Sequence, residues 1–234
     1  MLREHIMVAL ESLGLSADEP VLDALVLHAG MMLATNAIHN LTRITDEEDV
    51  ALLHVADSLT ALPYLVAAPE GSFADIGSGA GYPGIPLALL SARHAVLVES
   101  RAKKAAFLQE AVDVLGIDAE VRMSRAEELA ESQAGAFGAV TARALATLPS
   151  LVELAAPLLV VGGTLIALKG EPGAEEYASG DAVARIVGLK RTSTDPVTIP
   201  GVDLQRTIVC YRRERESRIA LPRRPGMAQK KPLA

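Results

Sequence analysis

Four glycines fall within eight positions directly after a short apolar run, in Phe73-Ala-Asp-Ile-Gly-Ser-Gly-Ala-Gly-Tyr-Pro-Gly84. Few local patterns narrow a fold as much. Glycine tolerates positive φ, and its missing Cβ lets another group approach the main chain. The segment therefore predicts a buried strand that bends sharply so that its backbone faces a ligand. A second apolar run, His94-Ala-Val-Leu-Val-Glu99, ends on a carboxylate 22 residues after Gly77. In a doubly wound sheet, an acid at the tip of the second strand is where a ribose hydroxyl pair is held.

The loop is not a plain dinucleotide fingerprint. Pro83 and Pro86 flank Gly84, and proline has no N–H for a helix interior. A pyrophosphate needs a helix N-terminus presented directly beneath it. Asp75, at the base of the bend, suits a cationic amino group instead. An ammonium, a ribose and an adenine without phosphate describe S-adenosyl-L-methionine. Asp75, Gly77, Gly79, Gly81 and Glu99 are the expected cofactor residues.

The rest of the chain agrees with an α/β domain. Residues 1–66 read as a helical extension. Thr45-Asp-Glu-Glu48 matches a capping box, followed by Leu52, Val55, Leu59 and Leu62 on one face, with Pro63 at the helix end. Strands are expected at 73–78, 94–99, 119–124, 138–143, 163–169 and 207–212, with helices between them, which implies a mostly parallel, doubly wound sheet. The last strand follows a long connection holding Pro196 and Pro200, and an antiparallel placement beside the fifth would suit a methyltransferase better than a dehydrogenase. Leu151–Leu168 carries only Glu153 as a charge, but Pro157 and Gly162-Gly163 interrupt it. A membrane span needs about 20 largely uninterrupted apolar residues, so a helix, turn and buried strand are expected there.

Charge is unevenly spread. Residues 212–234 hold eight Lys or Arg against two Glu, a net of +6, leaving −13 elsewhere and −7 in total. A basic tail on an acidic chain suits contact with a polyanion, or is simply a solvated end. The single cysteine, Cys210, excludes an intrachain disulfide and a cysteine metal cluster. No secretory leader is evident after Met1, and a cytoplasmic location is expected.

Taken together, Asn40-Leu-Thr42, His54-x-x-Asp57-Ser58, the loop 77–86, Glu99, Lys103-x-x-x-Phe107-Leu108, Ser124-Arg-Ala-Glu127, Ala142-Arg-Ala144, Leu168-Lys-Gly170 and Pro222-Arg-Arg-Pro-Gly226 resemble the bacterial 16S rRNA (guanine-N7)-methyltransferase family (glucose-inhibited division protein B). The match runs in order along nearly the whole chain. It implies a class I, Rossmann-like, seven-stranded S-adenosylmethionine-dependent methyltransferase fold over residues 67–213, an N-terminal helical extension (1–66) and a basic C-terminal tail (214–234). It also implies a guanine of the decoding region as substrate. By matching positions it implies that Gly77, Tyr82, Ala126, Glu127 and Arg143 contact the cofactor.

Guanine N7 has an in-plane lone pair and needs no general base, so positioning should dominate. Arg143, ending the fourth strand near the switch point, is the expected catalytic residue, serving the cofactor, the guanine or both; bridging to a helix acid is the alternative. Asn40, His54, Asp57, Lys169, Arg223 and Arg224 are expected at the RNA. The partner is then 16S rRNA or the small ribosomal subunit, with no membrane, no metal and a monomeric enzyme. Rivals are an S-adenosylmethionine methyltransferase of another RNA, a protein or a small molecule, a non-catalytic RNA-binding protein on the same fold, and an NAD-dependent oxidoreductase.

Overall fold

The computed structural model describes residues 1–203 and 205–234. Its centre is one seven-stranded sheet. The strands are β1 (Phe73–Ile76), β2 (Ala95–Val98), β3 (Ala119–Arg122), β4 (Phe137–Arg143), β5 (Leu159–Lys169), β6 (Leu189–Val197) and β7 (Arg206–Arg213). Their order is β3-β2-β1-β4-β5-β7-β6. The first five run parallel, and β7 lies antiparallel between β5 and β6. The switch point between β1 and β4 opens a crevice at the carboxyl ends of the strands.

Alternation along the strands sorts the core into two halves. Phe73, Leu97, Ala139, Ile166 and Ile208 face one apolar cluster, while Ala74, Val96, Val140, Leu165 and Val209 face the other. The first cluster is covered by α1 (Leu2–Ser12), α2 (Glu19–Asn36), α5 (Leu62–Ala67), α6 (Gly84–Ser91) and α7 (Ala102–Leu115). The second is covered by α8 (Ala126–Ser132), α9 (Leu148–Ala155), α10 (Ala174–Val187) and α11 (Met227–Lys230). Ile6, Leu25 and Met32 from the N-terminal helices are fully buried in the same cluster as Phe73 and Leu97. Packing thus runs without a break across residue 66.

Several local expectations shift. The cap of α3 (Glu47–Val50) is Asp46 rather than Thr45, its carboxylate accepting from the N–H groups of Glu48 and Asp49. The helix continues through a π-helical turn, Ala51–Ala56, into α4 (Asp57–Leu59) and breaks there. Pro63 opens α5 instead of closing the preceding helix, as its missing N–H permits in a first turn. The stretch Glu47–Ala67 has the length and apolarity of a membrane span, yet most of it lies inside the core. Of the seven strands, β6 is the one whose position the sequence pattern does not mark. As an edge strand of sequence Leu-Lys-Arg-Thr-Ser-Thr-Asp-Pro-Val, it carries the polar residues and proline that edges tolerate, and so reads as a loop.

Candidate active site

A cavity of about 470 Å³ opens at the carboxyl ends of β1, β2 and β3. The glycine bend forms one wall. Gly77 and Gly79 have φ of +74° and +61°, values that side chains rarely adopt. A Cβ on Gly79 would meet nothing nearer than 3.8 Å, so this backbone faces open space, whereas one on Gly77 would lie 2.7 Å from Leu145 Cδ1. Glu99 lies just beyond the end of β2 and lines the cavity. Its Oε2 accepts from Gly79 N–H at 3.1 Å and its Oε1 from Arg101 N–H at 2.7 Å. The carboxylate is therefore fixed to the bend, with lone pairs left to accept hydroxyls.

Ala126 and Glu127, at the start of α8, line the opposite side. Glu127 is buried, not a solvated acid at a helix start, and its Oε1 accepts from Gly226 N–H at 2.7 Å. The C-terminal segment that supplies this group is seated on α9. Arg223 Nε and Nη2 each donate to Glu153 at 2.6 Å, Ser150 Oγ donates to the Ala228 carbonyl at 2.8 Å, and Gln229 lines the cavity. Arg223, expected on RNA phosphate, is thus held inward, because Glu153 is only 3% exposed on an apolar helix. A buried carboxylate without a partner costs several kcal/mol. Arg224 remains exposed.

Of the other expected cofactor residues, Asp75, Gly81, Tyr82 and Arg143 do not line this cavity. Asp75 falls on the same sheet face as Phe73 and is fully buried. Thr141 Oγ1 donates to its Oδ1 at 2.8 Å, and Gly84 N–H donates to its Oδ2 at 3.1 Å. It ties β1 to β4 and to the start of α6, and burial pushes its carboxyl up to about 6 against the opposing pull of these hydrogen bonds. Gly81 serves packing, since a Cβ there would meet Ile85 Cδ1 at 2.6 Å and His28 Nε2 at 2.9 Å.

Tyr82 is enclosed by the His28 and His54 rings, at centroid distances of 4.6 and 4.7 Å, and Arg143 lies 5.6 Å from its centroid. Arg143 reaches the π-helical turn. Its Nη1 donates to the Leu53 carbonyl at 2.8 Å and to Asp57 Oδ2 at 2.7 Å, while Nη2 lies 3.1 Å from His54 Nδ1. The bridge from Arg143 to a helix acid is therefore formed. Arg206, which the sequence did not single out, completes it from the start of β7, with Nε donating to Asp57 Oδ1 at 2.9 Å. A guanidinium only donates, so His54 Nδ1 accepts, and Nε2 carries the proton to Thr42 Oγ1 at 3.0 Å. His54 bonds to Thr42 and Arg143 rather than to Asp57.

Lys169 is drawn to Glu176 at 2.9 Å and to the Ala146 carbonyl at 3.0 Å. Asn40 is exposed, and with Arg101, Lys103 and Lys104 it lines a second groove of about 460 Å³. That groove shares Arg101 and Lys104 with the first cavity. No group of three or more His, Cys, Asp or Glu is placed to hold a metal among the described residues.

The two buried imidazoles give a pH test. Burial lowers His28 to about 4 and, with Arg143 adding repulsion, His54 to about 3. Both lie below their unfolded value, so stability present above pH 6.5 is lost as pH falls toward 3–4. Asp75 acts oppositely, since its raised carboxyl favours the fold at low pH and loses that contribution as pH rises through about 6. At 1.36 kcal/mol per unit, the histidines outweigh Asp75 by about 2–3 kcal/mol between pH 7.5 and 5. Urea denaturation at the two values should show that loss. Equal stability at both would mean the imidazoles are hydrated.

Two kinds of site residue escaped the sequence. Ser100, Arg101 and Lys104 follow Glu99 immediately, and the same loop logic would reach them. Arg206 and Gln229 meet the site only through tertiary folding, from 149 residues beyond Asp57 in the case of Arg206, with no local pattern to announce them.

Known proteins resemble this chain in sequence and in fold. A family model described as rRNA small subunit methyltransferase G matches residues 22–208. Curated proteins named ribosomal RNA small subunit methyltransferase G are similar over most of the chain. That of Pelotomaculum thermopropionicum is 35% identical, covering 100% of this chain and 99% of its own length. That of Roseiflexus sp. (strain RS-1) is 38% identical, covering 94% and 95%. Among solved structures, geranyl diphosphate C-methyltransferase from Streptomyces coelicolor superposes with a TM-score of 0.54 at 15% identity, over 74% of this chain and 86% of that one. The 1,6-didemethyltoxoflavin-N1-methyltransferase of Burkholderia thailandensis gives 0.54 at 13%, over 79% and 88%. At these identities the structures are alike in fold alone, a class I methyltransferase sheet.

Proposed function

Because the chain belongs to the rRNA small subunit methyltransferase G family, we propose that it methylates N7 of a guanine in 16S rRNA, using S-adenosylmethionine. The observation that carries the cofactor assignment is Glu99, locked to the glycine bend on the wall of the cavity. Glu99 holds the ribose hydroxyls, the open backbone at Gly79 receives the amino-acid part, and Ala126 with Glu127 borders the base. When bound, S-adenosylmethionine supplies a methyl group already activated on a sulfonium.

The chain's task is then to place guanine N7 in line with that methyl. N7 attacks with an in-plane lone pair, and no proton has to be removed first. The site matches this economy: His54 is held neutral with its Nδ1 lone pair turned to Arg143. Arg143 spends three of its five N–H groups on Leu53, Asp57 and His54. The remaining two suit O6, the acceptor beside N7. In this reading Arg143 orients the guanine and the Asp57–Arg206 pair holds Arg143.

Phosphates of the RNA follow the groove of Arg101, Lys103 and Lys104, with Arg43 in the adjoining hollow beside Asn40. Contacts of this kind position the RNA without reading its sequence. Arg224 extends the basic rim; Arg223 supports it from within. The same reading places the protein in the cytoplasm as a monomer acting on 16S rRNA or the small ribosomal subunit.

The test is methyl transfer from labelled S-adenosylmethionine to naked 16S rRNA, small subunits and total protein in parallel. Label is expected in RNA, on a guanine, and depurination chemistry specific for N7-methylguanine should locate it. Label in protein alone would overturn the assignment.

A further inference from the structure

Resting on the methyltransferase reading above, we infer that the segment Arg223–Lys231 is a wall of the S-adenosylmethionine site, with Gln229 as a cofactor-binding residue and Gly226 as the group that sets Glu127. Three independent anchors seat this segment. Arg223 and Glu153 pair through two hydrogen bonds of 2.6 Å, Ser150 Oγ holds the Ala228 carbonyl at 2.8 Å, and Gly226 N–H holds Glu127 Oε1 at 2.7 Å. Ala228 is 2% exposed, so the segment is packed rather than draped. Gly226 has φ of +82°, a turn that lets its N–H meet a carboxylate from a helix 99 residues earlier in the chain.

The consequence for the cofactor is chemical. Glu127 has one oxygen engaged by Gly226, and its other oxygen takes no protein hydrogen bond among the described residues. A carboxylate with one oxygen fixed points its second as an acceptor, which suits the exocyclic amino group of adenine. Hypoxanthine presents a carbonyl at the same place, and two acceptors repel. Gln229 lines the same cavity as Glu127, Ala126 and Leu154, and its side-chain amide can both donate and accept. The C-terminal segment therefore reads the base, while the glycine bend and Glu99 hold the rest.

Calorimetry with S-adenosylhomocysteine and its inosine counterpart tests this, using the full-length chain. Wild type should bind the adenosine form and discriminate against the inosine form. Failure of wild type to bind either would overturn the methyltransferase reading itself, a different outcome from those below. Gln229→Ala, at an exposed position, should weaken adenosine-form binding about five- to tenfold, as loss of one hydrogen bond does. The double variant Arg223→Met/Glu153→Met removes the anchor without stranding a charge. It should bind about tenfold more weakly and lose discrimination, with an unliganded Tm close to wild type.

Hydrogen exchange on wild type supplies a readout free of mutation. Saturation with S-adenosylhomocysteine should slow the amides of residues 223–231. Unchanged exchange there, or binding and discrimination within twofold of wild type in folded Gln229→Ala, would overturn the inference.

Discussion

Replacing Asp57 by alanine is expected to destabilise the protein by about 3–5 kcal/mol, the range found when one partner of a buried ion pair is removed. Asp57 is 3% exposed and answers two guanidinium groups, Arg143 at 2.7 Å and Arg206 at 2.9 Å. Without it, two largely buried cations face each other across the end of the sheet. A domain of ordinary stability has about 5–15 kcal/mol in all, so the variant should show a large fall in its urea midpoint and poor accumulation at growth temperature. The companion experiment separates fold from chemistry. The triple variant Asp57→Leu/Arg143→Met/Arg206→Met leaves no charge stranded and should recover most of the lost stability, since apolar replacements of buried ion clusters are often neutral. It should still fail to turn over, because Arg143 is gone. A stable and fully active triple variant would strip Arg143 of any part in catalysis.

The second large effect concerns Glu99. If Glu99 holds the ribose as proposed, Glu99→Ala removes the acceptor for two hydroxyls, and it frees the Gly79 and Arg101 N–H groups that the carboxylate now holds. Hydrogen bonds to a charged group contribute about 1.5–3 kcal/mol each. Affinity for S-adenosylhomocysteine should therefore fall on the order of 100-fold or more, measured by calorimetry. Glu99→Gln, which keeps shape and part of the hydrogen bonding, should lose less. The freed N–H groups border the cavity, so the alanine variant should lose some stability but far less than Asp57→Ala, and Glu99→Gln separates that loss from the loss of affinity. Undiminished affinity would move the ribose elsewhere in the cavity.

The parts of the molecule that the sequence made legible are those whose chemistry is local. Gly77, Gly79 and Glu99 lie on two consecutive strand ends, and positive φ, a short apolar run and a carboxylate at a fixed spacing are written side by side. Leu151–Leu168 was readable from its internal breakers, whereas the long proline-bearing connection only left an antiparallel last strand open, since strand direction is settled by pairing with β5. What could not be read depends on partners distant in the chain. Asp75 looks like a ligand for an ammonium until the sheet places Thr141 beside it. Arg223 looks like a phosphate contact until Glu153, the lone acid of an apolar helix, meets it. Burial reverses both meanings, and neither burial is encoded within a few residues of the group concerned. Strand β6 hid for a different reason: an edge exposes one side of its ladder, and the polar residues that protect it resemble those of a loop.

The π-helical turn at Ala51–Ala56 has a consequence for how this region tolerates change. Such a turn amounts to one surplus residue absorbed into an α-helix. Excising a residue there would let the helix relax to regular geometry while Val50 and Asp57 kept their outlook. What would vanish is the awkward bulge that offers Leu53's oxygen to the arginine at the sheet's end. Under the role proposed for Arg143, shortening this stretch by one would therefore reach the chemistry through a lost carbonyl contact, apart from whatever packing the buried Ala51, Val55 and Ala56 give up.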